Sequence, residues 1–114
     1  MPTNQETFDI VTKHLLEQGC RSENEDTCLY QGPNGTKCAA GILIPDGQYD
    51  EEFENTPVMY DDVSYGPVGV LLEKLGYDVY LVQALQYVHD QNLPKSWPQA
   101  LREVANTFNL ECSL

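Results

Sequence analysis

Glycine and proline punctuation limits what this chain can fold into more than any other feature. Gly19, the run Gly32-Pro33-Asn34-Gly35, Pro45, Pro67, Gly76 and Pro94 stop or start each periodic stretch before it grows long. Between those marks apolar residues recur at helical spacing. Thr3, with Glu6 three residues on, forms a capping box for a helix over residues 3 to 18, in which Phe8, Val11, Leu15, Ile10 and His14 follow the helical period. Pro67 is placed to open a second helix through Val70, Leu71 and Leu72 to Leu75, closed by Gly76. Asp78 caps a third, about Val79 to Gln91, with Leu81, Val82, Leu85 and Val88 at core spacing. Ser96 caps a last one, whose stripe is Trp97, Leu101, Val104, Ala105 and Phe108, with Pro98 in its first turn.

In the middle, Asn34-Gly35 tolerates the positive φ angles of a tight reversal, so Cys28-Leu29-Tyr30 and Thr36-Lys37-Cys38 are expected to pair as a β-hairpin over residues 28 to 38. Arg21 to Thr27 reads as an exposed loop, and Ala39 to Ile44 as either a buried helical turn or a third strand. A chain of 114 residues supports one core and not two. The expected fold is α+β: a single compact domain, residues 1–114, of four or so helices packed around a short hairpin.

Eighteen acids against six bases give a net charge of −12. Such a surface repels nucleic acid and anionic membrane and attracts basic protein surfaces. No stretch approaches the run of about 18 apolar residues that spans a bilayer, and Met1-Pro2-Thr3-Asn4-Gln5-Glu6 lacks a basic-then-apolar export pattern. The cytoplasm is therefore the expected location, with Cys20, Cys28, Cys38 and Cys112 as free thiols. Their spacings make no two-residue knuckle, so a zinc site has to draw on His14 or His89 from a distance, and neither metal nor cofactor is expected.

Catalytic patterns fall short as well. His14 reads as structural. His89 and Asp90 adjoin, but neighbouring helical side chains diverge, so no base-orienter pair is expected from adjacency. A cysteine nucleophile needs an electropositive setting that this chain barely supplies. Asp46, Gln48 and Asp50 begin like a calcium loop, yet Glu51 stands where glycine is required and Pro57 where glutamate is. Gly32 to Lys37 is too short between its glycines for a phosphate loop, and Cys38 replaces the hydroxyl residue after the lysine. The expectation is a binding protein and no enzyme.

The acidic stretch supplies the candidate contact. No lysine, arginine or histidine occurs between Lys37 and Lys74, while Asp46, Asp50, Glu51, Glu52, Glu54, Asp61 and Asp62 alternate with Tyr49, Phe53 and Tyr60. Glu23, Glu25 and Asp26 form a second acidic patch. Tyr49, Phe53, Tyr60 and Tyr65 are the expected anchors, since amphipathic aromatics are enriched at interfaces. Carboxylates spaced like phosphates would mimic DNA. The competing reading is a nucleotide sponge, which requires Lys37, Arg21 and Arg102 to converge in a pocket between the hairpin and the last helices.

The run Cys28-Leu29-Tyr30-Gln31-Gly32-Pro33-Asn34-Gly35-Thr36-Lys37-Cys38-Ala39-Ala40-Gly41-Ile42-Leu43-Ile44-Pro45-Asp46, with Tyr49 after it, resembles a family of small phage- and prophage-encoded proteins; His89-Asp90, Trp97 and Phe108-Asn109-Leu110 resemble it too. Gln31 and Ile42 depart from it, standing where similar sequences often carry Arg and Cys. The resemblance brings no catalytic residues. It implies an accessory protein in the cytoplasm of an infected or lysogenic bacterium that binds and disables a host protein. That host protein would present a basic surface and handle nucleic acid or defend against phage, without direct contact of this chain with nucleic acid or membrane.

Overall fold

The computed structural model describes residues 2–25 and 27–114. Helix ends fall where local chemistry sets them. Helix α1 spans Asn4–Gln18: Glu6 N donates to the Thr3 hydroxyl at 3.1 Å, Thr3 N donates to the Glu6 carboxylate at 2.9 Å, and Gly19 closes the helix at φ 69°. Helix α2, Pro67–Lys74, begins on its proline, and Gly76 beyond it takes φ 94°. Helix α3, Val79–Gln91, is capped by Asp78, which accepts from Tyr80 N at 3.0 Å and Leu81 N at 3.4 Å. Helix α4, Trp97–Thr107, starts differently from expectation. Ser96 makes no side-chain cap; a 3₁₀ turn over Pro94–Ser96 runs directly into the helix, and its early N–H groups include Pro98, which has none to satisfy.

Helix α3 is the centre of the core, packed against α1, α2 and α4. Its Leu81, Val82, Leu85 and Val88 are enclosed with Phe8, Val11 and Leu15 of α1, Leu72 of α2, and Trp97 and Leu101 of α4. Ile10 and Val70, also expected on helical stripes, face solvent. The stretch after the Asn34-Gly35 reversal is a helical turn, Gly41–Leu43, and not a strand. Cys38, Ala39 and Ala40 before it are wholly buried, and Gly41 sits so close to the Tyr30 carbonyl that a side chain there has no room. The radius of gyration, 13.0 Å, is that of one compact domain, for which about 13 Å is expected. Among the described residues no helix is long and apolar enough to cross a membrane.

The four helices and the antiparallel hairpin form, but the hairpin lies earlier than the turn signal placed it. Strand β1, Glu23–Asn24, pairs with β2, Thr27–Cys28, so that the segment read as a loop, Arg21 to Thr27, holds all of the hairpin but Cys28, the residue expected to begin the first strand. The Asn34-Gly35 chemistry is correct, with φ 61° and 75°, yet it closes only an isolated bridge between Gln31 and Lys37. Side chains from elsewhere take the donors that a longer ladder would use. Tyr30 N and Gln31 N donate to the Glu54 carboxylate at 2.9 and 3.2 Å, and Lys37 N donates to Gln18 Oε1 at 2.9 Å. A strand whose N–H groups are satisfied this way gains nothing by pairing further.

Candidate functional site

The carboxylates picked out from the sequence divide into two kinds. Glu51 and Glu52 lie exposed on a 3₁₀ turn, and Asp50 holds that turn by accepting from Glu52 N at 2.9 Å. Asp61 and Asp62 are exposed on the next reversal, where Asp61 accepts from Val63 N and Ser64 N at 2.9 and 2.7 Å. Those two backbone donors hold its carboxyl below the usual range. Tyr60 is 62% exposed beside them. Among the described residues none of Asp50, Glu51, Glu52, Asp61 and Asp62 makes an ion pair, whereas Asp46 meets Lys37 at 3.3 Å and Glu23 meets Arg21 at 4.0 Å. Glu25 is exposed in the β1–β2 turn; Asp26 lies outside the described residues.

Three residues of the expected contact turn inward instead. Glu54, half-buried, accepts from Tyr30 N, Gln31 N and the Tyr49 hydroxyl, the last at 2.7 Å. Tyr49 and Phe53 stack edge to face with centroids 6.3 Å apart and pack on the core. Burial, then the Glu54 carboxylate, pushes the Tyr49 phenol up to about 12. Of the four expected aromatics the exposed rim thus keeps Tyr60, since Tyr65 is half-buried against the core as Tyr49 and Phe53 are. Glu54 is drawn inward by backbone donors 23 and 24 positions away, which local composition does not encode, and Tyr49 bonds to it there.

Behind the rim the structure assembles a group that the sequence reading set aside. At the end of α3, His89 is fully buried and its Nδ1 meets Asp90 Oδ1 at 2.7 Å. Adjacent helical side chains do diverge, but Nδ1 is the ring nitrogen nearest the backbone. Gln86, one turn earlier, also donates to Asp90 Oδ1 at 2.9 Å and draws the carboxylate back along the helix. Ser22 N donates to His89 Nε2 at 3.0 Å, which requires a lone pair there and puts the proton on Nδ1, shared with Asp90. The ring stacks on Trp97, with centroids 5.6 Å apart. Cys28 completes the group. Burial, followed by the charge of Asp90 and the hydrogen bond to it, pushes its thiol up to about 11. Burial raises the Asp90 carboxyl too, but hydrogen bonds from His89 and Gln86 outweigh that and leave it lowered.

Cysteine, histidine and aspartate together invite a nucleophile or metal reading, and the geometry opposes both. Burial, with the facing carboxylate second, raises the thiol away from the thiolate form a nucleophile needs, and Nε2 is occupied by a backbone donor and not turned to the sulfur as a base. Possible ligand atoms of the three residues lie within 4.8 Å of one another. Metallating Nδ1, however, would move the proton onto Nε2 and set it against the Ser22 N–H. The residues therefore do not fit a metal, and the group reads as a polar clamp tying β1 and β2 to the end of α3.

The cations of the nucleotide reading are held by different partners. Lys37 meets Asp46, Arg21 donates to the Asn92 carbonyl at 2.7 Å, and Arg102 donates to the Leu114 carbonyl at 3.0 Å. Sequence reasoning also missed the outward face of α3, with Tyr80 and Tyr87 exposed beside Asp90 and Glu103. Its signal was available as two tyrosines seven apart on the side opposite the core stripe. Comparison with protein-family models, curated proteins and solved structures finds no match to this chain.

Proposed function

We propose that this chain is a binding protein whose acidic rim captures a basic surface on a partner protein. We further propose that it serves as a phage or prophage accessory protein, acting in the bacterial cytoplasm to inhibit a host protein of nucleic-acid handling or anti-phage defence. The observation that carries the reading is the set of exposed carboxylates Asp50, Glu51, Glu52, Asp61 and Asp62, free of ion pairs among the described residues, in a stretch without a single base. Unpaired exposed charge of one sign steers association and makes it salt-dependent. DNA mimicry is the form this takes if the partner's basic surface ordinarily holds phosphates. The raised Cys28 thiol and the occupied His89 support a non-catalytic role, and the dispersed engagements of Lys37, Arg21 and Arg102 lend a nucleotide sponge nothing.

The test is a tagged pull-down from host lysate with and without phage infection, washed at low and high salt and read by mass spectrometry. One stoichiometric protein, released by salt, is expected. Its affinity should then fall about tenfold or more, with a flatter salt dependence, in a Glu51→Lys/Glu52→Lys/Asp62→Lys variant. Glu54 is spared because it is internal. Unchanged affinity in the folded variant would count against the rim.

A further inference from the structure

Tyr80 and Tyr87 of α3 stand 51% and 63% exposed, two helical turns and about 10 Å apart along the axis. Tyr87 stands on a ridge between two depressions, and Tyr80 borders the first of them. On one side α4 leaves a groove of about 490 Å³ that includes Ala84, Val88, Ala100, Val104 and Phe108. On the other, a polar cleft of about 190 Å³ runs against residues 28–30 and 55–58 and contains Asp90, whose side chain is 29% exposed. Tyr87 and Gln83 border both. The two depressions hold the carboxylates Glu103 and Asp90 and no lysine, arginine or histidine. Arg21 is engaged by the Asn92 carbonyl and Glu23, and Arg102 by the Leu114 carbonyl and Gln99.

We infer that this face docks a basic amphipathic helix of a partner protein, its apolar side chains in the groove between α3 and α4 and a lysine or arginine in the Asp90 cleft. Apolar residues of the groove recur every four positions, the small Ala84 with Val88 and Ala100 with Val104, then the larger Phe108, a spacing that admits the side-chain ridges of another helix. Exposed tyrosines beside such a groove supply amphipathic anchors. The charge decides the occupant. A second copy would set carboxylates against carboxylates on a body of net charge −12, whereas a cationic helix meets Glu103 and Asp90 as counterions. The inference rests on the reading that the chain binds a basic protein, but it places a contact on α3 and α4, which adjoin the rim where the Tyr80 hydroxyl donates to the Asp62 carbonyl at 2.9 Å; that oxygen is backbone and stays in the rim variant, so the two can fail separately.

The probe is a fluorescein-labelled peptide of about 18 residues, with leucines at i, i+3, i+4 and i+7 and lysines elsewhere, set against a scrambled isomer of the same composition. Anisotropy is measured at low salt and at about 0.3 M salt. The ordered peptide should bind about tenfold or more tightly than its isomer, and Tyr87→Ala should cost it about tenfold. Glu103→Lys should weaken it several-fold, while the rim triple variant keeps the preference between peptides. Tyr87 and Glu103 are exposed, so both variants should fold. Equal affinity for the two peptides, no binding of either, or indifference to Tyr87→Ala overturns the docking face. If binding then vanishes in the triple variant, the rim stands without the groove. Sedimentation showing a parent dimer that Tyr87→Ala makes monomeric overturns the helix in favour of a second copy.

Discussion

The rim at residues 50–62 and the seam where Glu54 and Asp90 meet residues 22–31 use the same functional group in opposite ways. On the rim Glu51, Glu52 and Asp62 project into water, and where a carboxylate bonds at all, as Asp50 and Asp61 do, its partners are two or three residues away. In the seam each carboxylate satisfies buried or half-buried donors: Glu54 accepts from the backbone of Tyr30 and Gln31, 24 and 23 positions away, and from a phenol, and Asp90 takes the His89 imidazole and the Gln86 amide on Oδ1, with the thiol of distant Cys28 alongside. A carboxylate that satisfies buried donors is part of the scaffold even where, as at Asp90, 29% of the side chain stays exposed in a cleft, whereas one without such donors is wholly available to a partner. Net charge alone does not distinguish them.

The largest effect should come from emptying the seam. Asp90→Ala leaves the buried His89 N–H without an acceptor, and Glu54→Ala leaves two backbone N–H groups without one. Each should cost about 1–3 kcal/mol in urea unfolding. A loss below about 0.5 kcal/mol, the scale of an ordinary surface change, would erase the distinction from the rim.

Acid should sharpen the comparison with a smaller effect. Asp90 has a lower pKa folded than unfolded. Its contribution is therefore complete above the ordinary aspartate range near about pH 4 and is lost as pH falls through the lower folded value. Asp90→Asn, which keeps an accepting oxygen but removes the proton uptake, should lose less of its urea midpoint than the parent between about pH 5 and pH 3. Parallel losses would mean that Asp90 titrates as an ordinary surface acid. The smallest effect is expected at Glu51→Ala, whose stability should stay within about 0.5 kcal/mol of the parent. A larger loss would make that residue scaffold as well.

How much of this was legible follows from the reach of each interaction. Thr3 with Glu6, Pro67, Asp78 with Tyr80 and Leu81, and the glycine stops at Gly19 and Gly76 act within one turn of chain, and the helices they bound were readable. The buried stripe of α3 was readable too, because its spacing follows the helical period. Ser96 shows the limit even locally, since a preceding 3₁₀ turn leaves its hydroxyl no capping role.

What the amino-acid order settled by itself, then, is the set of helices, the reversal at Asn34-Gly35 and the excess of negative charge. Tertiary structure alone decided that the hairpin lies at residues 23–28, that Tyr49, Phe53 and Glu54 turn inward, and that His89 and Asp90 join Ser22 and Cys28 in one clamp. The physical reason is common to all three. Buried backbone donors must find acceptors, and here the acceptors for Tyr30, Lys37 and Ser22 are side chains 24, 19 and 67 positions away. Only the packed fold brings such partners within reach.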